Sequence, residues 1–222
     1  MITDLDRHTI GRIIATTGVD AWGVAANVPA LPNAPALPFA LSMLMRIDPP
    51  VVRGITHGPT PEYVRAYHRL NAALDEAAGT LADSLARRGY AAVAAPATSS
   101  SAHSGDLSLF SHKSAATSAG MGWIGKTALF VSPEFGPAVR LATVFTDLDL
   151  PAGEPVREGR CGRCTACVEA CPAGCGRDVR WQAGMPRDQL FDAAACERHM
   201  AAYPDADICG ICIAACPYSL RD

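Results

Sequence analysis

Cysteine is absent from the first 160 residues of this 222-residue chain; all nine stand between Cys161 and Cys216. A disulfide scaffold scatters its cysteines and needs an export signal, so this distribution argues against one. Lysine is almost missing as well, with Lys113 and Lys126 the two among 19 basic residues. Neither sign of charge dominates. The net charge of −3 excludes the basic footprint of a dedicated nucleic-acid binder. No long apolar run is present either. Residues 21–47 are the most apolar stretch, and Pro29, Pro32, Pro35 and Pro38 interrupt it, which rules out a continuous membrane-spanning helix. Asp4, Asp6, Arg7, His8 and Arg12 lie where a signal peptide would be apolar. The expectation is a cytoplasmic protein without membrane contact. At 18% charged and 49% hydrophobic residues, the composition is the reverse of a disordered chain.

What is there is ordered. Cys161, Cys164, Cys167 and Cys171, followed by Pro172, form a C-x2-C-x2-C-x3-C-P run. Three thiolates on a tight turn grip one face of an iron–sulfur cubane, and the fourth, about a helical turn further on, serves a second cluster. The second run, Cys209, Cys212 and Cys216 before Pro217, lacks its first position, for which Cys196 is the available substitute. A crossed assignment follows. One 4Fe–4S cluster takes Cys161, Cys164, Cys167 and Cys216; the other takes Cys171, Cys196, Cys209 and Cys212. Cys175 is left over and is expected to be a buried thiol. A pair of four-cysteine zinc sites is the competing reading. Zinc favours two separated C-x2-C knuckles, which two C-x3-C-P endings around a three-cysteine turn fit poorly.

The cysteine-free part alternates helix and strand. Helices are expected over residues 3–17 and from Thr60-Pro61-Glu62 to about Gly89, the latter on a cap residue, a first-turn proline and an apolar stripe through Tyr63, Tyr67, Leu70, Leu74, Leu81 and Leu85. Strands are expected over 21–26, 39–47, 90–95, 127–131 and 140–146, and a short helix over 114–119. The order suggests an α/β or α+β domain. Pro151, Gly153 and Pro155 place the boundary: residues 1–155 as the first domain and 156–222 as a ferredoxin-type double-cluster module.

Gly120-Met121-Gly122-Trp123-Ile124-Gly125-Lys126 matches G-x-G-x-x-G. A dinucleotide loop needs a strand before it and a helix after it, and here the expected context is inverted. A tight structural turn and a close backbone approach to a large flat ligand both remain open.

His112-Lys113, the segment from Ala119 to Lys126, Ser132-Pro133-Glu134-Phe135-Gly136-Pro137, Thr146-Asp147-Leu148 and the double cysteine run form an ordered series. This series resembles the epoxyqueuosine reductase family and its shorter double-cluster relatives; reductive dehalogenases share the plan. The resemblance implies an N-terminal α/β corrinoid-reductase-like domain on a two-cluster module. It implies a cobalamin held by His112, Lys113, Gly120, Met121, Gly122, Trp123, Gly125 and Lys126. It aligns Asp106 with the family's proton donor, although Leu107-Ser108-Leu109 and His112-Lys113 replace the family's usual flanks. Electrons would come from a low-potential donor such as a ferredoxin or flavodoxin and pass through the clusters to the corrinoid. The tRNA-acting members carry a further helical-repeat region after the clusters, whereas this sequence ends six residues after Cys216. With a net charge of −3 the expected substrate is a small molecule rather than tRNA. Three alternatives stay open: a ferredoxin-type electron carrier without its own chemistry, a true tRNA epoxyqueuosine reductase, and a flavin in place of the corrinoid.

Overall fold

The computed structural model describes residues 7–28, 33–97, 110–203, 206 and 208–220. In chain order its elements are α1 (Arg7–Ala15), β1 (Ala21–Ala26), β2 (Phe39–Arg46), α2 (Pro49–Arg53), α3 (Pro61–Ala86), β3 (Ala92–Ala95) and α4 (His112–Ser118). They continue with β4 (Trp123–Ile124), β5 (Phe130–Val131), β6 (Val139–Thr146), α5 (Ala166–Glu169), α6 (Ala193–Met200) and α7 (Ile211–Ala214). Among the described residues no helix is long and apolar enough to cross a membrane.

The chain divides into two compact units. Unit one comprises Met1–Met45, Arg69–Met121 and Arg140–Pro155; unit two comprises Arg46–His68, Gly122–Val139 and Val156–Asp222. A single division after residue 155 assigns Arg46–His68 and Gly122–Val139 to the first domain, but in the structure both segments pack with the cysteines. The reason is local. A Cβ on Gly210 would stand 2.7 Å from the Tyr63 ring and 3.0 Å from Ile55, and one on Gly159 would stand 3.2 Å from the Ile124 carbonyl.

Unit one is built on a four-stranded sheet of order β1-β2-β6-β3. β1 pairs antiparallel with β2, Gly23 opposite Ser42, and β3 pairs antiparallel with β6, Ala94 opposite Val144. Successive strand residues face opposite sides. Val24, Leu41, Met43, Ala142 and Val144 meet Ile10 and Ile14 of α1 and Leu74, Ala78, Leu81 and Leu85 of α3. Ala25, Ala40, Ala95 and Phe145 face the other way, onto Phe110, Ala115 and Ala119. Helix α3 starts as its sequence dictates: the Tyr63 amide donates to the Thr60 hydroxyl at 3.2 Å, and Pro61 opens the first turn.

Several expected boundaries differ, two of them near the glycine motif. The helix expected over 114–119 begins at His112. The strand expected over 127–131 is confined to Phe130–Val131. The Gly125 amide donates to the Leu129 carbonyl at 2.8 Å, and Ala128 takes a φ of +56°, so residues 125–129 are a turn. That turn joins β4 to β5 as a hairpin, Trp123 opposite Val131.

Leu81 is fully buried in the core between sheet and α3. Leu81→Ala is expected to lower stability by about 2–5 kcal/mol, read as a shifted denaturant midpoint.

Candidate metal centre

All nine cysteines belong to unit two, and each is a free thiol. Short helices present them. α5 carries Cys167, α6 carries Cys196 and α7 carries Cys212, while Cys161, Cys164, Cys171, Cys209 and Cys216 lie on the adjoining turns. Asp192 caps α6 by accepting from the Ala195 amide at 2.9 Å.

The thiols influence one another in two groups. Cys167 lies in the field of Cys161 and Cys164, and Cys216 in that of Cys167 and Cys161. Cys196 lies in the field of Cys171 and Cys209, Cys209 in that of Cys171, and Cys212 in that of Cys209, Cys167, Cys171 and Cys196. Burial first, and these neighbours second, push the Cys212 thiol up to about 12. Burial likewise raises Cys216 to about 11, against the lowering effect of the Tyr218 and Ser219 amides. Buried thiolates repel each other, and a bound cation relieves that repulsion. Among the described residues no three His, Cys, Asp or Glu side chains close in tightly enough to hold a single metal ion. A cubane's four sulfur ligands stand wider apart than those of one ion, because the cluster's own irons and sulfides lie between them. The donor set, four and four thiols without a disulfide, suits two cubanes.

Cys175 is fully buried, as expected, and it touches the second group. Its amide donates to Cys171 Sγ at 3.4 Å, and burial followed by the neighbouring Cys171 raises its thiol to about 12.

The residues assigned to a cobalamin have partners within the protein. The Trp123 indole N–H donates to Cys161 Sγ at 3.3 Å. The Lys126 ammonium, almost completely buried, pairs with Asp178 at 2.5 Å. His112 bonds through Nδ1 to the Thr143 hydroxyl at 2.9 Å and through Nε2 to the Pro96 carbonyl at 2.8 Å. Lys113 is half-buried in the first turn of α4, where its carbonyl accepts from the Thr117 hydroxyl at 3.0 Å. Met121 is half-buried against Gly23, where a Cβ would stand 2.9 Å from its Cγ.

The glycines do not open onto free space. A Cβ on Gly120, whose φ is +77°, would stand 2.7 Å from the Glu154 carbonyl oxygen. One on Gly122 would collide with the Val131 carbonyl, and one on Gly125 would stand 3.0 Å from the Val131 side chain. The motif's backbone runs through β4 and enters the turn over residues 125–129. Asp106 lies outside the described residues.

Thr127 escaped the sequence reading. It is buried beside Cys167, where it opposes the rise that burial imposes on that thiol. A lone threonine after a glycine motif gives no signal of this; only the hairpin turn brings it to the cysteine run.

No known family model matches the chain. In sequence it is similar to the epoxyqueuosine reductase of Gloeobacter violaceus, 33% identical over 124 residues, which covers 49% of this chain and 36% of that protein. It is also similar to the tetrachloroethene reductive dehalogenase of Sulfurospirillum multivorans, 32% identical over 117 residues, covering 47% of this chain and 23% of that protein. The chain thus spans about a third or less of the length of these curated relatives. In structure it is similar to a reductive dehalogenase whose structure suggests a mechanism for B12-dependent dehalogenation, with a TM-score of 0.79 at 20% identity, over 100% of this chain and 33% of that one. An epoxyqueuosine reductase bound to a tRNA-Tyr stem loop gives a TM-score of 0.62 at 16% identity, over 96% of this chain and 65% of that one. These structural likenesses show that the mixed α/β fold is shared.

His112 supplies a pH test. Burial, with the charge of Arg140, lowers its pKa below the ordinary 6.5, while the Pro96 hydrogen bond and Asp75 oppose the shift. The folded state therefore favours the neutral ring. Its contribution is complete above pH 6.5 and is lost as the pH falls through that value toward the folded pKa. Urea unfolding at pH 7 and pH 5 is expected to show wild type losing more stability than His112→Gln, with a difference of at most about 1.4 kcal/mol per pH unit.

Proposed function

We propose that the chain is an iron–sulfur reductase holding two 4Fe–4S clusters, one on Cys161, Cys164, Cys167 and Cys216 and the other on Cys171, Cys196, Cys209 and Cys212. The observation that carries this reading is that free thiols from separate stretches of chain come near one another, Cys216 with Cys161 and Cys167, and Cys196 and Cys209 with Cys171. Similarity to epoxyqueuosine reductases and reductive dehalogenases supports a reductive activity. The clusters, when bound, supply a path for low-potential electrons toward an acceptor centre.

The protein's own contribution is to fix the thiolates and shield most of them in part from water. Cys171, Cys196, Cys209 and Cys212 are half-buried, while Cys164 is exposed to solvent. An external donor of the ferredoxin or flavodoxin kind fits an electron entry on the exposed side. The substrate proposed is a small molecule, because a net charge of −3 offers little hold on tRNA. Low-potential clusters and nine free thiols suit the cytoplasm.

Cobalamin is the acceptor that similarity to a B12-dependent dehalogenase suggests. The residues assigned to it also have partners within the protein: the glycines pack against Glu154 and Val131, and Trp123, Lys126 and His112 are bonded to Cys161, Asp178 and the Pro96 carbonyl. No step is therefore placed on them, and Asp106 keeps only the proton-donor role that the resemblance implies. The same packing favours a second reading, an electron carrier without its own chemistry.

The test is metal content. Protein prepared without oxygen, offered cobalamin and freed of excess ligand is expected to hold about eight irons per chain together with stoichiometric cobalt. Eight irons without cobalt would favour the carrier, and absence of iron would overturn both readings. Cys196→Ala is expected to keep about half the iron. Retention of the full complement would refute the crossed grouping.

A further inference from the structure

Resting on the two-cluster reading, we propose that Trp123 and Thr127 are positioning residues for the first cluster. The Trp123 indole hydrogen-bonds one of its cysteine sulfurs, the Thr127 hydroxyl stands beside another, and both thereby raise its reduction potential. Both residues belong to the hairpin β4–β5, the stretch that resembles a nucleotide loop by its glycines.

The geometry is specific. Trp123 Nε1 donates to Cys161 Sγ at 3.3 Å, and Thr127 is placed beside Cys167, where it opposes the rise of that thiol. Both side chains are buried. The Trp123 ring is held edge-on against Tyr218, with centroids 5.4 Å apart and planes at 80°. The Thr127 methyl is held at the chain just beyond the first cysteine run, where a Cβ on Gly176 would stand 3.3 Å from it. The Lys126–Asp178 pair pins the residue between them to the same stretch. Gly125 completes the approach: a Cβ there would stand 3.7 Å from Cys161 Sγ.

The physical consequence has one sign. Reduction adds negative charge to the cluster and its sulfurs. A donor aimed at a ligand sulfur stabilises the reduced form more than the oxidised one, and more so in dry surroundings. Removing the donor therefore lowers the potential. A main-chain amide serves the second group: Cys175 donates to Cys171 at 3.4 Å. Substitutions at 123 and 127 should leave that group unmoved.

The experiment is an EPR-monitored dithionite titration of the iron-loaded full chain. Wild type is compared with Trp123→Phe, which keeps a ring but loses the N–H, with the isosteric Thr127→Val, and with Thr127→Ser, which restores a hydroxyl. Trp123→Phe and Thr127→Val are each expected to lower the same one of two one-electron transitions by about tenfold in its equilibrium constant, or about 59 mV, leaving the other in place. Thr127→Ser is expected to track wild type. Two clusters whose midpoints ignore both substitutions, or variants that shift different transitions, would overturn this proposal alone. A wild type that takes up no iron would overturn the two-cluster reading and this proposal with it.

Discussion

Thiolates placed side by side in partly buried surroundings repel one another, and unit two gathers its cysteines under that constraint. Burial, with neighbouring cysteines, pushes up the thiols of Cys167, Cys196, Cys209, Cys212 and Cys216. Arg187 acts on Cys196, and the buried Lys126 is committed to Asp178. The protein also supplies hydrogen-bond donors, the Trp123 indole to Cys161 and the Cys175 amide to Cys171. Donors moderate the charge on sulfur without neutralising it.

Unit one solves a simpler problem. Its sheet has two apolar faces, and each is covered by helix: α1 and α3 on one side, α4 with its flanking residues on the other. The polar groups that this packing buries are largely satisfied inside it. His112 bridges Thr143 and Pro96, and Arg140 donates to the Asn71 side chain at 2.7 Å. A histidine placed beside a candidate ligand motif thus serves to tie α4 to β6 and the end of β3.

The glycine motif illustrates how one local pattern can carry two meanings. A dinucleotide loop uses its glycines to admit a phosphate, whereas here Gly120, Gly122 and Gly125 admit Glu154, Val131 and the approach to Cys161. The inverted context was legible from the sequence, since a small-residue helix precedes the motif and no helix follows it. The turn over residues 125–129 was not legible, because Ala128 in a left-handed conformation leaves no mark on an apolar-rich segment. The role of Thr127 was hidden for the same reason.

Local chemistry decided much before any folding. The strand at Ala21–Ala26, the capped start of α3, the clustering of the cysteines and their crossed spacing all follow from short-range rules of period, capping and ligand geometry. Tertiary structure decided the rest. It drew Arg46–His68 and Gly122–Val139 into the cysteine-bearing unit, and it gave Trp123 and Lys126 partners there in Cys161 and Asp178. Sequence spacing fixes distances only along a few turns of chain. The Trp123–Cys161 bond closes over 38 residues and the Lys126–Asp178 pair over 52, and at that range packing, not periodicity, chooses the partner.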